Sequence, residues 1–291
     1  MFIEDVMRFL DNVMSDFINR APDSFSNAKY SAMRERSVGL GVMGLHSFFQ
    51  QKSIPFGSVM SKIWNQKIFK HIQEKADQAS VKLAEERGPC PDAEEYGIKE
   101  RFSNKTAIAP TASISVICGG ASPGIEPIAA NSYTHKTLSG SFNVRNKYLA
   151  KILEKHGKND DETWSSITTN QGSVSHLDFL TDIEKDTFKT AFEIDQRWIV
   201  ELGADRTPNI SQAQSINVFV PADIHKKDLH QIHFQAWKKG LKSLYYCRSK
   251  SIQRAENVNT GSSTDVTKNV YKANEESNNE ENKYEECLSC Q

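Results

Sequence analysis

Neither sign of charge prevails in this sequence, where 36 Lys plus Arg stand against 37 Asp plus Glu for a net charge of -1. A near-neutral chain has no electrostatic reason to gather nucleic acid or an acidic membrane surface, so any anion it binds must be held by local groups. No run approaches the roughly 20 apolar residues of a bilayer span. The opening MFIEDVMRFLDNVM carries acids where a secretion signal would carry bases. These absences predict a soluble, cytoplasmic protein with no nucleic-acid or membrane partner. Cysteine is sparse and odd in number, and Cys90, Cys118, Cys247, Cys287 and Cys290 have no framework spacing. A disulfide-stapled secreted fold is therefore excluded and reduced thiols are the default. The pair Cys287-Leu-Ser-Cys290 stands apart, because two thiols separated by two residues can close on each other or attack another disulfide. His225, His230 and His233 lack a further ligand nearby, and the terminal cysteines lack a second ligand pair, so no metal is expected in this chain.

What is present suits an α/β fold. A length of 291 residues allows a sizeable buried core. Phe2, Val6, Phe9, Val13 and Phe17 recur at helical spacing, predicting an amphipathic helix over 2–19 that lays this stripe on a core. In Arg36-Ser-Val-Gly-Leu-Gly-Val-Met-Gly-Leu-His46, glycines alternate with apolar residues. That pattern reads as a buried strand opening into a helix, with glycine serving close packing. Ser58 to Arg87 reads as a long helix stopped by Gly88-Pro89. Residues 105–109 read as a strand, 143–156 and 183–202 as helices, 215–221 as a strand, 228–240 as a helix and 243–247 as a strand. The last three imply a parallel βαβ unit. Beyond about Ser251 the chain turns to Asn, Glu, Ser, Thr and Lys, which cannot bury enough surface to offset ordering entropy. The expected division is a folded domain over 1–250 and a flexible tail over 251–291, whose roughly 40 residues carry the dithiol on a tether.

Two constellations can carry chemistry. Pro110-Thr-Ala-Ser-Ile-Ser115 follows a strand and brings hydroxyls and backbone N–H groups into one turn. It suits either a phosphate cradle or an ordinary Ser/Thr helix cap. Tyr245 and Tyr246 end an apolar strand, where neighbours normally point to opposite faces. They are either core residues or, if a departure from strand geometry stacks them, a redox pair.

Taken together these motifs resemble the second half of the catalytic domain of the class I ribonucleoside-diphosphate reductase large subunit. RSVGLGVMGLHSFF (36–49) is similar to that family's glycine strand and helix, NKTAIAPTASIS (104–115) to its substrate phosphate loop, and PGIEP (123–127) to the segment beyond. SINVFVP (215–221), LKSLYYCRS (241–249) and a closing cysteine pair follow in the family's order. The resemblance implies an α/β fold, the second half of a ten-stranded barrel, followed by the tail. It implies that Pro110, Thr111, Ala112, Ser113, Ile114 and Ser115 hold the diphosphate of a ribonucleoside diphosphate. Tyr245 and Tyr246 would relay an oxidising equivalent from a diiron-tyrosyl radical in a small subunit. Cys287 and Cys290 would re-reduce the active site and be recharged by thioredoxin or glutaredoxin.

The family's thiyl-radical cysteine with its neighbouring Asn and Glu, the two cysteines oxidised by substrate and the effector-binding cone have no counterpart here. Cys90, Cys118 and Cys247 are expected to be structural. The initial Met and helix suggest a naturally split subunit that needs a partner chain carrying the first half. Two other readings stay open, a fragment of an adenosylcobalamin-dependent reductase and a non-catalytic redox or regulatory binding protein.

Overall fold

The computed structural model describes residues 2–137 and 140–250. Helix α1 (Phe2–Arg20) and α2 (Ser26–Glu35) precede a first extended segment around Val38–Leu40. Then come α3 (Leu45–Gln51), α4 (Val59–Arg87) and α5 (Pro91–Glu95). The long α4 starts where Ser58 accepts the Ser61 N–H and the Ser61 hydroxyl side chain faces back, a reciprocal cap; it stops at Gly88, whose φ of 85° suits glycine. A second extended segment leads into α6 (Ala112–Ile117). An antiparallel hairpin of β1 (Ser132–Thr137) and β2 (Gly140–Arg145) follows, with Ser132 opposite Arg145. After α7 (Lys147–Lys155), α8 (Asp161–Thr169), α9 (Asp182–Thr187) and α10 (Gln196–Arg206), the described residues close with β3 (Val218–Pro221), α11 (Lys226–Lys238) and β4 (Cys247–Lys250).

Four extended segments lie side by side in chain order, all parallel. Val38 N–H donates to Asn104 O at 2.9 Å and Ala107 N–H to Leu40 O at 3.1 Å; Ile108 N–H donates to Ala213 O, and Ser215 N–H returns to Ile108 O at 2.9 Å. β3 then pairs with β4 in parallel, across the α11 crossover expected of a βαβ unit. Val218 and Val220 meet Ile232 and Ala236 of α11, while Phe219 on the opposite face packs edge-on against Phe192 at 5.5 Å. The main core gathers Leu45, Phe49, Phe56, Phe69, Ile108 and Leu202 around the array. The alternating glycines let neighbouring segments approach, since a Cβ on Gly41 would lie 2.5 Å from Ala107 O. Among the described residues no helix is long and apolar enough to cross a membrane.

Three expectations need correction. The α1 stripe does not face the core: Phe2, Phe9, Val13 and Phe17 are exposed, Phe2 by 80%, and Met7 with Asp11 is buried instead. A second apolar stripe, Ile3, Met7, Leu10 and Met14, packs on Ala76, Ala79 and Leu83 in its place, and a buried charge cluster reinforces that orientation. Asp11 is fully buried and accepts from Arg36 Nη2 at 2.6 Å, Arg87 Nη1 at 2.7 Å and Arg101 Nε at 2.9 Å, so α1 is turned to bring this carboxylate to the three guanidinium groups. The single helix expected over 183–202 is two, because the chain turns between α9 and α10. Asn131 Nδ2 takes the Phe188 carbonyl at 2.6 Å, Ala191 N–H donates to Ile128 O at 2.8 Å, and Asp195 caps α10 by accepting from Arg197 N–H. The helix expected from 143 begins only at Lys147, after β2, with the Asn146 side chain accepting from Tyr148 and Leu149 N–H.

Candidate active site

Residues 110–115 leave the second extended segment in a strained turn. Thr111 adopts φ 52°, an uncommon conformation for a β-branched residue. Two hydrogen bonds hold it there: its Oγ1 accepts from Gly124 N–H at 2.8 Å and its carbonyl accepts from Ser115 N–H at 2.9 Å. Gly124 is required at that point, because a Cβ on it would come within 2.9 Å of Ala109 O. With its hydroxyl turned to Gly124, Thr111 does not cap α6. The N–H groups of Ala112, Ser113 and Ile114 consequently have no acceptor among the described residues. Consecutive unsatisfied N–H groups of this kind are donors for an anionic oxygen. The three hydroxyls of the turn do not point together: Ser115 is buried and donates to Ala112 O at 2.7 Å, leaving Ser113 as the exposed one.

The glycine-rich turn that follows is fixed on α3. Gly44 N–H donates to Ser122 O at 2.9 Å, and Ser47 and Ser122 exchange backbone-to-hydroxyl bonds of 3.1 and 2.8 Å. That anchoring carries Glu126 into the interior, where it is 7% exposed. Burial pushes its carboxyl up to about 7, against the opposing pull of the Asn217 amide and the positive charge of Arg248. Asn217, almost fully buried, donates from Nδ2 to Glu126 Oε1 at 2.6 Å and accepts the Tyr246 N–H on Oδ1 at 3.0 Å.

The pairing around Asn217 is irregular. Tyr245 N–H donates to Ile216 O at 2.8 Å, whereas Val218 N–H donates to Tyr246 O at 2.9 Å, with Val218 opposite Cys247. Tyr245 and Tyr246 together therefore oppose the single residue Asn217, which is the geometry of a β-bulge. In a regular strand the two rings would point apart. Here their centroids are 4.0 Å apart at 49°, and the Tyr245 hydroxyl donates to that of Tyr246 at 3.3 Å. Both are a little under half exposed, and the Arg248 guanidinium lies 5.9 Å from the Tyr246 ring centre. The ladder resumes as β4 only at Cys247, later than the 243–247 strand expected.

The phosphate-loop candidates and the tyrosine pair are thus two ends of one bonded chain, running from Thr111 through Gly124 and Glu126 to Asn217 and Tyr246. Sequence reasoning singled out both ends and missed the middle. The available signal was a lone amide inside the apolar run Ser215-Ile-Asn-Val-Phe-Val and a lone acid between Ile125 and Pro127, since polar groups in such places need partners. Of the other cysteines, Cys90 is buried, but Cys118 and Cys247 are exposed, so a packing role suits Cys90 alone. Cys287 and Cys290 lie outside the described residues. His225 Nδ1 accepts the Lys227 N–H at the start of α11, His233 bonds Leu229 O and His230 stacks on Phe234.

Comparison with known proteins gives concordant results. A family model described as ribonucleotide reductase, barrel domain, matches residues 2–100 and 92–247. The ribonucleoside-diphosphate reductase large subunit of Invertebrate iridescent virus 6 is 47% identical over 264 residues, covering 89% of this chain and 27% of that protein. Its counterpart in Invertebrate iridescent virus 3 is 42% identical over 266 residues, covering 90% of this chain and 42% of that one. The structure of the Actinobacillus ureae class Id ribonucleotide reductase alpha subunit superposes with a TM-score of 0.80 at 39% identity, covering 87% of this chain and 47% of that chain. The fold is accordingly the partial α/β barrel that the resemblance implied. The chain spans less than half the length of these relatives.

Proposed function

Because the chain belongs to the ribonucleotide reductase barrel-domain family, we propose that it forms the carboxyl-terminal half of a ribonucleoside-diphosphate reductase large subunit, active only when a complementary polypeptide supplies the remainder. The close, tilted pair of Tyr245 and Tyr246 carries this reading. Two phenols with rings 4.0 Å apart and hydroxyls in contact can hand an electron and a proton between them. A bulge is spent on bringing them together, which simple packing does not require. In the proposal an oxidising equivalent generated in a diiron-tyrosyl small subunit passes through Tyr246 and Tyr245 towards a cysteine held by the complementary half. A radical made from adenosylcobalamin within the same subunit would need no such relay.

Pro110 to Ser115 would hold the diphosphate of the substrate, with the open N–H groups of Ala112, Ser113 and Ile114 meeting its oxygens and Ser113 adding a hydroxyl. Cys287 and Cys290 would reduce the active-site disulfide after each turnover and pass the oxidation to thioredoxin or glutaredoxin. The uncovered apolar stripe of α1 supports the need for a partner surface.

The test is complementation. This chain, the amino-terminal half of a related large subunit and the matching small subunit are combined with a ribonucleoside diphosphate and thioredoxin. Deoxyribonucleoside diphosphate is expected from the full mixture and from no mixture lacking one protein. A full mixture that assembles yet forms no product, or a chain with no affinity for any complementary half, overturns the proposal.

A further inference from the structure

We infer that Glu126 and Asn217 form a latch that holds the Tyr245–Tyr246 bulge in place, which makes them positioning residues for the paired phenols; the inference rests on the relay reading of that pair.

A bulge inserts one residue more than the ladder can pair and leaves a backbone N–H to be satisfied by other means. At this bulge the Tyr246 N–H goes to Asn217 Oδ1 at 3.0 Å. An amide held by one bond can turn about its χ2 and release that N–H. The second bond, from Asn217 Nδ2 to Glu126 Oε1 at 2.6 Å, fixes the flip so that the oxygen faces Tyr246. Both side chains are buried, so water does not compete for either bond. Glu126 is fixed in its turn by the Gly124 and Ser122 contacts that seat its turn on α3 and on Thr111.

The residue types fit this role. Aspartate at 217 could accept from Tyr246 but would offer Glu126 no proton unless protonated itself. Glutamine at 126 keeps an oxygen that can accept from Asn217, so the latch needs the acceptor and not the charge.

The test places 3-fluorotyrosine at position 246 of the full-length chain and reads its ¹⁹F resonance, which responds to ring stacking without any turnover. Glu126→Gln is expected to keep the parent resonance. Glu126→Ala and Asn217→Leu are expected to move it towards that of a solvent-exposed fluorotyrosine while the far-ultraviolet circular dichroism stays folded. Should Glu126→Ala fail to fold, the near-isosteric Asn217→Leu carries the test. In the complemented reductase, without the fluorine label, Asn217→Leu is expected to lower kcat on the order of 10- to 100-fold with KM for the diphosphate unchanged, and Glu126→Gln to keep the parent rate. An unmoved resonance in both Glu126→Ala and Asn217→Leu overturns the latch, and so does a loss of the ring contact in Glu126→Gln. If the resonance moves as expected while Tyr246→Phe leaves turnover intact, the latch stands and the relay reading fails.

Discussion

Asp11 and Glu126 are both buried carboxyl groups, and the protein treats them in opposite ways. Asp11 sits among three guanidinium groups whose hydrogen bonds hold its pKa below the usual carboxylate value against the cost of burial. Glu126 has one amide donor and a more distant cation, and burial pushes it up to about 7. The first is a permanent charge that orients a helix. The second is a neutral-leaning acceptor in the frame of the tyrosine pair. Burial alone therefore says little about a carboxyl group; the number and charge of its donors decide whether it is a structural anchor or an adjustable part of a site.

The strongest way to break this comparison is Asp11→Ala. It strands three buried or half-buried cations and is expected to cost about 3–5 kcal/mol in urea unfolding. A loss below about 1 kcal/mol would mean that α1 is oriented by its apolar residues alone. Next is the pH dependence, where the two groups have opposite signs. The lowered pKa of Asp11 contributes stability that is present above its unfolded value and lost as pH falls through the folded one, at the acid end. The raised pKa of Glu126 leaves stability intact below its unfolded value near 4.5 and erodes it as pH rises towards 7, by on the order of 3 kcal/mol. Glu126→Gln should flatten that stretch of the stability curve between about pH 4.5 and 7; a curve identical to the parent would place Glu126 outside the titrating set. The smallest effect is expected from Phe9→Ser on the exposed side of α1. It should change the stability of the isolated chain by less than about 0.5 kcal/mol while weakening its association with a complementary half, and a large loss of stability in the isolated chain would contradict the placement of that stripe.

Much of the scaffold was legible because it is written locally. Ser58 and Gly88 bracket α4, glycine alternation marks the segment where Gly41 must pass Ala107, and the β3–α11–β4 order follows from residues close in sequence. What was hidden depends on distant partners. The outward turn of the α1 phenylalanines follows from the rival stripe of Ile3, Met7, Leu10 and Met14 packing on α4 and from Asp11 meeting arginines 25 to 90 residues away. The break before α10 depends on Asn131 holding Phe188. The ends of the candidate site, Thr111 to Ser115 and the two tyrosines, stood out by composition. The bulge that pairs the phenols was invisible, since it arises from a one-residue mismatch between two strands and from a bond across 91 residues between Glu126 and Asn217.

The most direct test of the central claim is product formation by the complemented reductase carrying Tyr246→Phe. Phenylalanine fills the same space and packs alike but has no hydroxyl proton to give. The account predicts undetectable deoxyribonucleoside diphosphate with unaltered assembly and unaltered binding of the ribonucleoside diphosphate. Turnover at the parent rate would contradict it.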